Sequence, residues 1–419
     1  MRNTIPTAGM LAGWVLLAGA SCVSAQDWPQ WRGPNRDNKV AGFSEPKAWP
    51  KELTQKWKVK VGLGDASPVL VGDKIYVFTR QGGDEVILCL DAGDGHEVWK
   101  DKYEAKPATV PGGDHQGPRG TPAVADGKVC TLGVDGALSC LDAEKGTLVW
   151  RKDSKSWPRF YAAASPIILD GKCVAPLGGD GKGEVVAYDL ANGDEKWKWS
   201  GDGPAYASPV LMTVEKTKQL VMLTDKSVVG IGADDGKLLW QVPYEVPRMQ
   251  YNSITPIVDG QTVIYAREGK GTTALKVEKK DDGFATKELW TKKDAPGKYN
   301  TPMLKDGLLY GLTPGGGGGG GRMGMGGPTN LFCMKAETGE VLWTDKAKRG
   351  ECGAVLDAGG VLLALSSDST LIAFKPSDKG YEESASYKVA DSPTWCVPVV
   401  SGNRVIVKDK DSLTLWTIE

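Results

Sequence analysis

Histidine is nearly missing from this chain of 419 residues: His96 and His115 are the whole complement. Two such residues exclude a histidine-based metal site and leave little for triad chemistry. An excess of one charge is also lacking, since 51 Lys and Arg stand against 52 Asp and Glu. There is thus no basic field to hold nucleic acid and no lysine run for an anionic membrane surface. The eight cysteines include no adjacent pair, no Cys-x-x-Cys and no Cys/His cluster, so zinc is not offered and no metal site is expected. Glycine-rich as it is, the chain has no Gly-Lys-Ser/Thr step to cradle a phosphate.

Long apolar runs are absent too. The longest, from about Ala8 to Ala20, is too short for a comfortable membrane span. With Arg2 before it and Val23-Ser24-Ala25 after it, residues 1–25 have the layout of an export signal cut near Ala25-Gln26. The expectation is a periplasmic or secreted protein without a transmembrane span in the mature chain; lipid anchoring at Cys22, after Gly19-Ala20-Ser21, is the minor alternative. Cleavage leaves 50 basic and 52 acidic residues and seven cysteines, an odd number that cannot be fully paired.

What the chain does contain is a period. Trp99, Trp150, Trp197, Trp240 and Trp343 each follow a glycine by four residues, as in Leu141-Asp142-Ala143-Glu144-Lys145-Gly146-Thr147-Leu148-Val149-Trp150. Repetition at roughly 40 to 50 residues signals stacked supersecondary units. Most units open on a Ser/Thr-Pro step: Ser67-Pro68, Thr121-Pro122, Ser165-Pro166, Ser208-Pro209, Thr255-Pro256 and Thr301-Pro302, with looser starts at Cys352-Gly353 and Val397-Pro398. Tight turns such as Asp126-Gly127 and Asp170-Gly171 follow, where Gly, Asn or Asp supplies positive φ for a two-residue hairpin. Four short strands per unit is the composition of a propeller blade.

The reading is all-β: an eight-bladed β-propeller of four-stranded antiparallel blades spanning residues 55–419, preceded by a strap at 26–54. The last unit stops after its third strand, Leu413–Ile418, and Gln55–Val61 is an orphan fourth strand. The N-terminal strand therefore completes the C-terminal blade, which removes a free sheet edge. Trp57, Trp99, Trp150, Trp197, Trp240, Trp290 and Trp343 are assigned as wedges against neighbouring blades, with Trp28, Trp31 and Arg32 strapping the N-terminal segment across the ring. Blade five stretches the corner before Trp290, and blade seven, with Lys375-Pro376-Ser377-Asp378-Lys379-Gly380, carries no tryptophan after it. Gly315–Gly321 begins a flexible loop (315–328) inside blade six. Cys89, Cys140 and Cys333 hold the repeat position of Ala187, Gly230, Ala274 and Ala373, so they read as small residues in a tight gap. Cys130 and Cys140 flank one hairpin and are expected as reduced thiols, a cross-strand disulfide being the alternative.

The corner phrase Leu-Asp-Ala-x-x-Gly-x-x-x-Trp resembles the blade repeat of pyrroloquinoline-quinone (PQQ) dehydrogenases and of the propeller lipoprotein of the outer-membrane β-barrel assembly machinery. Trp28-Pro29-Gln30-Trp31-Arg32-Gly33-Pro34, Gly117-Pro118-Arg119-Gly120-Thr121-Pro122 and Thr394-Trp395-Cys396-Val397-Pro398 are similar to signatures of exported bacterial PQQ-like repeat proteins. For the dehydrogenases the resemblance implies a quinone beside a disulfide of adjacent cysteines, with calcium held by Glu, Asn and Asp. The missing cysteine pair leaves PQQ and calcium unsupported, so no cofactor is evident.

Residues just ahead of each Ser/Thr-Pro step converge at one mouth of a propeller's channel. These are Asp65, Arg119, Tyr206, Asn252, Tyr299, Asn300 and Trp395, with Ala163 and Ser253 between them. Arg119 suits a carboxylate or phosphate, and the aromatics offer flat apolar faces. Packing is the competing role, in which Arg119 neutralises Asp65 or Glu351. The function expected is a monomeric, non-catalytic propeller binding a protein or small ligand at the mouth; a quinone-dependent oxidoreductase and an outer-membrane assembly scaffold are the alternatives.

Overall fold

A tryptophan needs a flat place to lie, and the glycine of each corner phrase provides it for the blade before. In the computed structural model, which describes residues 26–109, 115–245, 252–267, 270–293, 299–314 and 327–419, the indole of Trp99 rests on Gly146. A Cβ there would come within 2.5 Å of the ring. The same seat recurs for Trp57 on Gly95, Trp150 on Gly193, Trp197 on Gly236 and Trp290 on Gly339. All five glycines also have φ between 68° and 79°, a left-handed backbone that suits no other residue as well. Across the sheet the indoles of blades one to six face a small residue, such as Cys89 opposite Trp99, Cys140 opposite Trp150, Gly230 opposite Trp240 and Cys333 opposite Trp343, whereas Trp57 of blade eight faces Leu415. Blades one to seven hold only Cys, Ala or Gly at that position. Burying each such ring contributes roughly 1.5–3 kcal/mol.

The described strands form eight four-stranded antiparallel sheets, and among the described residues no helix is long and apolar enough to cross a membrane. Blade one comprises Val69–Val71, Lys74–Gln81, Asp84–Asp91 and Glu97–Glu104. Blade eight takes its outer strand from the other end of the chain: Thr54–Lys60 pairs with Ser412–Thr417. The expected closure is thus present, and Trp57 on that strand wedges onto blade one. Cys130 and Cys140 lie opposite each other in blade two as free buried thiols. Residues 1–25 and most of the glycine-rich loop, including Gly315–Gly321, lie outside the described residues.

A second ring explains the Ser/Thr-Pro steps. The Ser67 amide donates to the Thr121 hydroxyl at 3.2 Å, Thr121 to Ser165 at 2.9 Å, Ser165 to Ser208 at 2.9 Å, Ser208 to Thr255 at 3.4 Å and Thr255 to Thr301 at 3.1 Å. The Val397 amide links blade eight back to the Ser67 hydroxyl at 2.9 Å. Each hydroxyl accepts the amide of the preceding blade, and the proline after it needs no donor of its own. At blade seven the pattern changes: the Gly353 amide donates to Asn300 Oδ1 at 2.7 Å instead. Blade seven has Ala385 where others have tryptophan. The strap brings an aromatic to the same blade, with Trp49 centred 6.4 Å from the Tyr387 ring.

Candidate functional site

Inner strands leave backbone groups facing the channel, and each must find a partner. On the hairpin side of the disc that partner is residues 26–40, which enter the channel and bond to the first-strand region of every blade. Trp28 exchanges backbone bonds with Leu70 at 2.7 and 3.0 Å, and Val124 N–H donates to the Pro29 carbonyl at 2.8 Å. Arg36 donates to the carbonyls of Pro166 and, at 2.8 Å, Pro209. Trp31 Nε1 reaches Thr255 at 3.1 Å and Arg32 reaches the Pro302 carbonyl at 2.8 Å. Asn38 donates to the Val355 carbonyl at 3.0 Å, and Ser401 donates to the Gln26 carbonyl at 2.8 Å. The segment is a plug rather than a band across the face. Arg32, Arg36 and Asn38 hold φ near 60°, so the turns that aim them are themselves unusual. Arg36 and Asn38 had no repeat to mark them in the sequence; only the four-residue spacing from Arg32 hints at a shared face.

At the opposite mouth the candidate residues separate into two kinds. Asn252 and Asn300 are buried joints: Asn252 Nδ2 donates to Tyr244 Oη at 2.7 Å, its carbonyl takes the Tyr206 and Ala207 amides, and Asn300 holds Gly353. Asp65, Arg119, Tyr206, Tyr299 and Trp395 remain partly accessible. Asp65 Oδ2 meets His115 Nδ1 at 2.7 Å, and the His115 ring sits edge-on to Trp395 with centroids 4.5 Å apart. Arg119 pairs with neither Asp65 nor Glu351, the partners its packing role required. Its guanidinium donates to the Phe160 carbonyl, to Tyr206 Oη at 3.3 Å and to the His115 carbonyl at 3.3 Å, all neutral acceptors. Burial pushes the Tyr206 hydroxyl up to about 12, with Arg119 pulling the other way. Tyr299 is 47% exposed. Ala163 lines a shallow cleft with Trp157, Pro158 and Leu177 beside this group.

His115, Tyr161 and Tyr299 are all left-handed, at φ 64°, 71° and 58°. Most other non-glycine residues with positive φ lie in hairpin turns or in the plug. Backbone strain of this kind gathers where a fold holds a surface in readiness. Sequence reading missed the loop Trp157-Pro158-Arg159-Phe160-Tyr161 because it belongs to no repeat; its aromatic density was the available signal.

Several polar groups of the mouth already have partners within the chain. The chain has no adjacent cysteines, Asp65 is engaged by His115, Asn300 Oδ1 takes the Gly353 amide, and Asn252 donates its Nδ2 to Tyr244. Among the described residues, the His, Cys, Asp and Glu that approach one another closely enough to share an ion are Asp91, Asp94 and His96, at an exposed corner on the other face.

Fold and repeat together define a closed PQQ-like repeat propeller with a plugged channel. The family described as outer membrane protein assembly factor BamB matches residues 83–319 and 311–382, so the chain belongs to that family. The chain is 32% identical over 199 residues to quinohemoprotein alcohol dehydrogenase ADH-IIG of Pseudomonas putida, covering 43% of this chain and 27% of that protein. It is 30% identical over 236 residues to BamB of Xanthomonas campestris pv. campestris, covering 43% of this chain and 56% of that one. The matches therefore span about half or less of those two relatives. Among solved structures, BamB from Moraxella catarrhalis superposes with a TM-score of 0.62 at 16% identity, over 88% of this chain and 98% of that one. Quinohemoprotein alcohol dehydrogenase from Comamonas testosteroni gives 0.68 at 16% identity, over 94% and 80%. At that identity the likeness is one of fold.

Proposed function

We propose that this chain is an exported, non-catalytic propeller that binds a protein partner through the channel mouth. The observation that carries this reading is the mouth itself: a guanidinium with only neutral acceptors lies over the Tyr206 ring and bonds to the carbonyl of His115, whose own ring meets Trp395. Arg, Tyr and Trp are the residues that dominate binding energy at protein interfaces. The family's description as an outer membrane protein assembly factor supports a protein as the partner and a periplasmic location. The plug supports it too, because the opposite entrance of the channel is already filled from within the chain.

A photo-crosslinker placed at Tyr299 and, as a control, at Lys237 on the outer rim tests the reading in the exporting cell. Adducts from position 299 that vanish in Arg119→Leu are expected. Equal adducts from both positions, or none from 299, overturn it.

The second reading, a quinone-dependent oxidoreductase, is favoured by the alignment with ADH-IIG over 43% of the chain. Adding PQQ and calcium to the purified protein and recording its absorption spectrum and dye-linked alcohol oxidation decides that question. A bound-quinone spectrum with turnover would replace the first proposal.

A further inference from the structure

The two arginines of the plug are buried to the same degree but are not equally satisfied. Arg36 is 3% exposed and uses its whole guanidinium: Nε donates to Gln30 Oε1 at 2.9 Å, Nη1 to the carbonyls of Pro209 and Ser165, and Nη2 to Pro166. Arg32 is 2% exposed and makes a single hydrogen bond, Nη2 to the Pro302 carbonyl, while its buried Nε has no acceptor. Neither lies within ion-pair distance of a carboxylate. Asp37 attracts Arg32 only at longer range, and its own Oδ1 takes the Lys39 amide at 3.2 Å. Burial lowers Arg32 to about 10 and Arg36 to about 9, so both remain charged at neutral pH.

A buried cation without a counter-charge costs several kcal/mol unless dipoles or an anion offset it. Inner-strand carbonyls do this for Arg36. For Arg32 a single carbonyl does not. A water on Nε would satisfy the donor but leave the buried Arg32 cation without a counter-charge, whereas an anion satisfies both needs through a charge-assisted bond. The surroundings limit its size, since Arg32 is almost fully buried and the buried Trp28 ring packs against the neighbouring Gly33.

We propose that the Nε face of Arg32 is a binding site for a small monovalent anion of the halide class, inside the plugged channel near the start of blade six. The anion is a resident structural ligand of the plug. It is independent of whatever docks at the mouth, so failure of either proposal leaves the other standing.

Bromide is the probe. Crystals of the whole mature chain soaked in bromide should show an anomalous scattering peak within hydrogen-bond reach of Arg32 Nε, and Arg32→Lys, which keeps the charge but loses Nε, should abolish it. In solution, replacing gluconate with chloride at constant ionic strength should raise the unfolding midpoint of the wild type by a few degrees more than that of Arg32→Lys. An ordered water with no anomalous signal, or a peak away from Arg32 that survives the substitution, overturns the site. An equal chloride response in both proteins overturns it as well. Should Arg32→Lys fail to fold, the bromide map of the wild type decides alone.

Discussion

The two ends of the channel are lined by the same eight strands and yet are built on opposite principles. At the plugged end, buried donors from residues 28–38 meet backbone carbonyls and hydroxyls of the inner strands. At the mouth, Arg119 meets neutral acceptors on a half-open surface, and Tyr299 projects into solvent from a left-handed backbone. On the proposed reading, the plugged end supplies stability and the mouth supplies binding. A residue's effect should therefore depend on which end it occupies rather than on its chemical type.

Two arginines make the sharpest contrast. Arg36→Leu should destabilise by about 4 kcal/mol, because it strands the carbonyls of Pro166, Pro209 and Ser165 in a dry channel, each unpaired group costing about 1–3 kcal/mol. Denaturant unfolding checks it, and a loss below about 1 kcal/mol breaks the contrast.

Between the two ends in size lies Glu85, buried in the seam of blades one and two. It accepts from Tyr103 Oη at 2.5 Å and from the Val134 amide at 3.0 Å. It also leaves no room for a side chain on Gly133. Burial raises its carboxyl from 4.5 to about 7. The folded protein thus holds this proton where the unfolded chain releases it, so the contribution to stability is full below about pH 4.5 and is lost as pH rises to about 7. The swing is on the order of 3 kcal/mol, from about 1.4 kcal/mol per pKa unit. Glu85→Gln should remove that slope from the curve of unfolding free energy against pH; an unchanged slope assigns it to other groups.

Arg119→Leu should cost only about 1 kcal/mol, a shift of a few degrees at most, while abolishing mouth crosslinks. A cost like that of Arg36→Leu, with crosslinks unchanged, returns Arg119 to packing and erases the distinction. Tyr299→Ala is expected to stay within about 0.5 kcal/mol of wild type, as exposed positions do. Thermal melting checks both.

How far the sequence reveals this molecule follows from distance along the chain. The Trp and Gly of the corner phrase are four residues apart and repeat, so the blades, their number and the closing strand are legible. Their pairing is not, since the glycine under Trp99 is Gly146 in the next unit. The Ser/Thr-Pro steps mark blade starts in sequence, while the amide-to-hydroxyl ring they form appears only when neighbouring units stand side by side. The plug is hardest of all to foresee: Arg36 reaches partners 129, 130 and 173 positions away, and no periodicity encodes such a contact. At the mouth, position within the repeat brought Asp65, Arg119, Tyr206 and Trp395 to one end. It did not separate those that remain accessible from Asn252 and Asn300, whose amides are consumed in holding blades together.

The closing strand also has a consequence in time. Gln26 and Ser401 are 375 positions apart and Pro50 and Tyr387 are 337, so these contacts form only when blades seven and eight exist, although Trp28 and Pro29 can reach Leu70 and Val124 sooner. Until then Thr54–Lys60 is an unpaired edge and the plug has no channel to fill. Sequence separations of this size slow folding. A chain threaded N-terminus first would thus hold its closing strand unpaired until blade eight emerges, and would complete the ring only then.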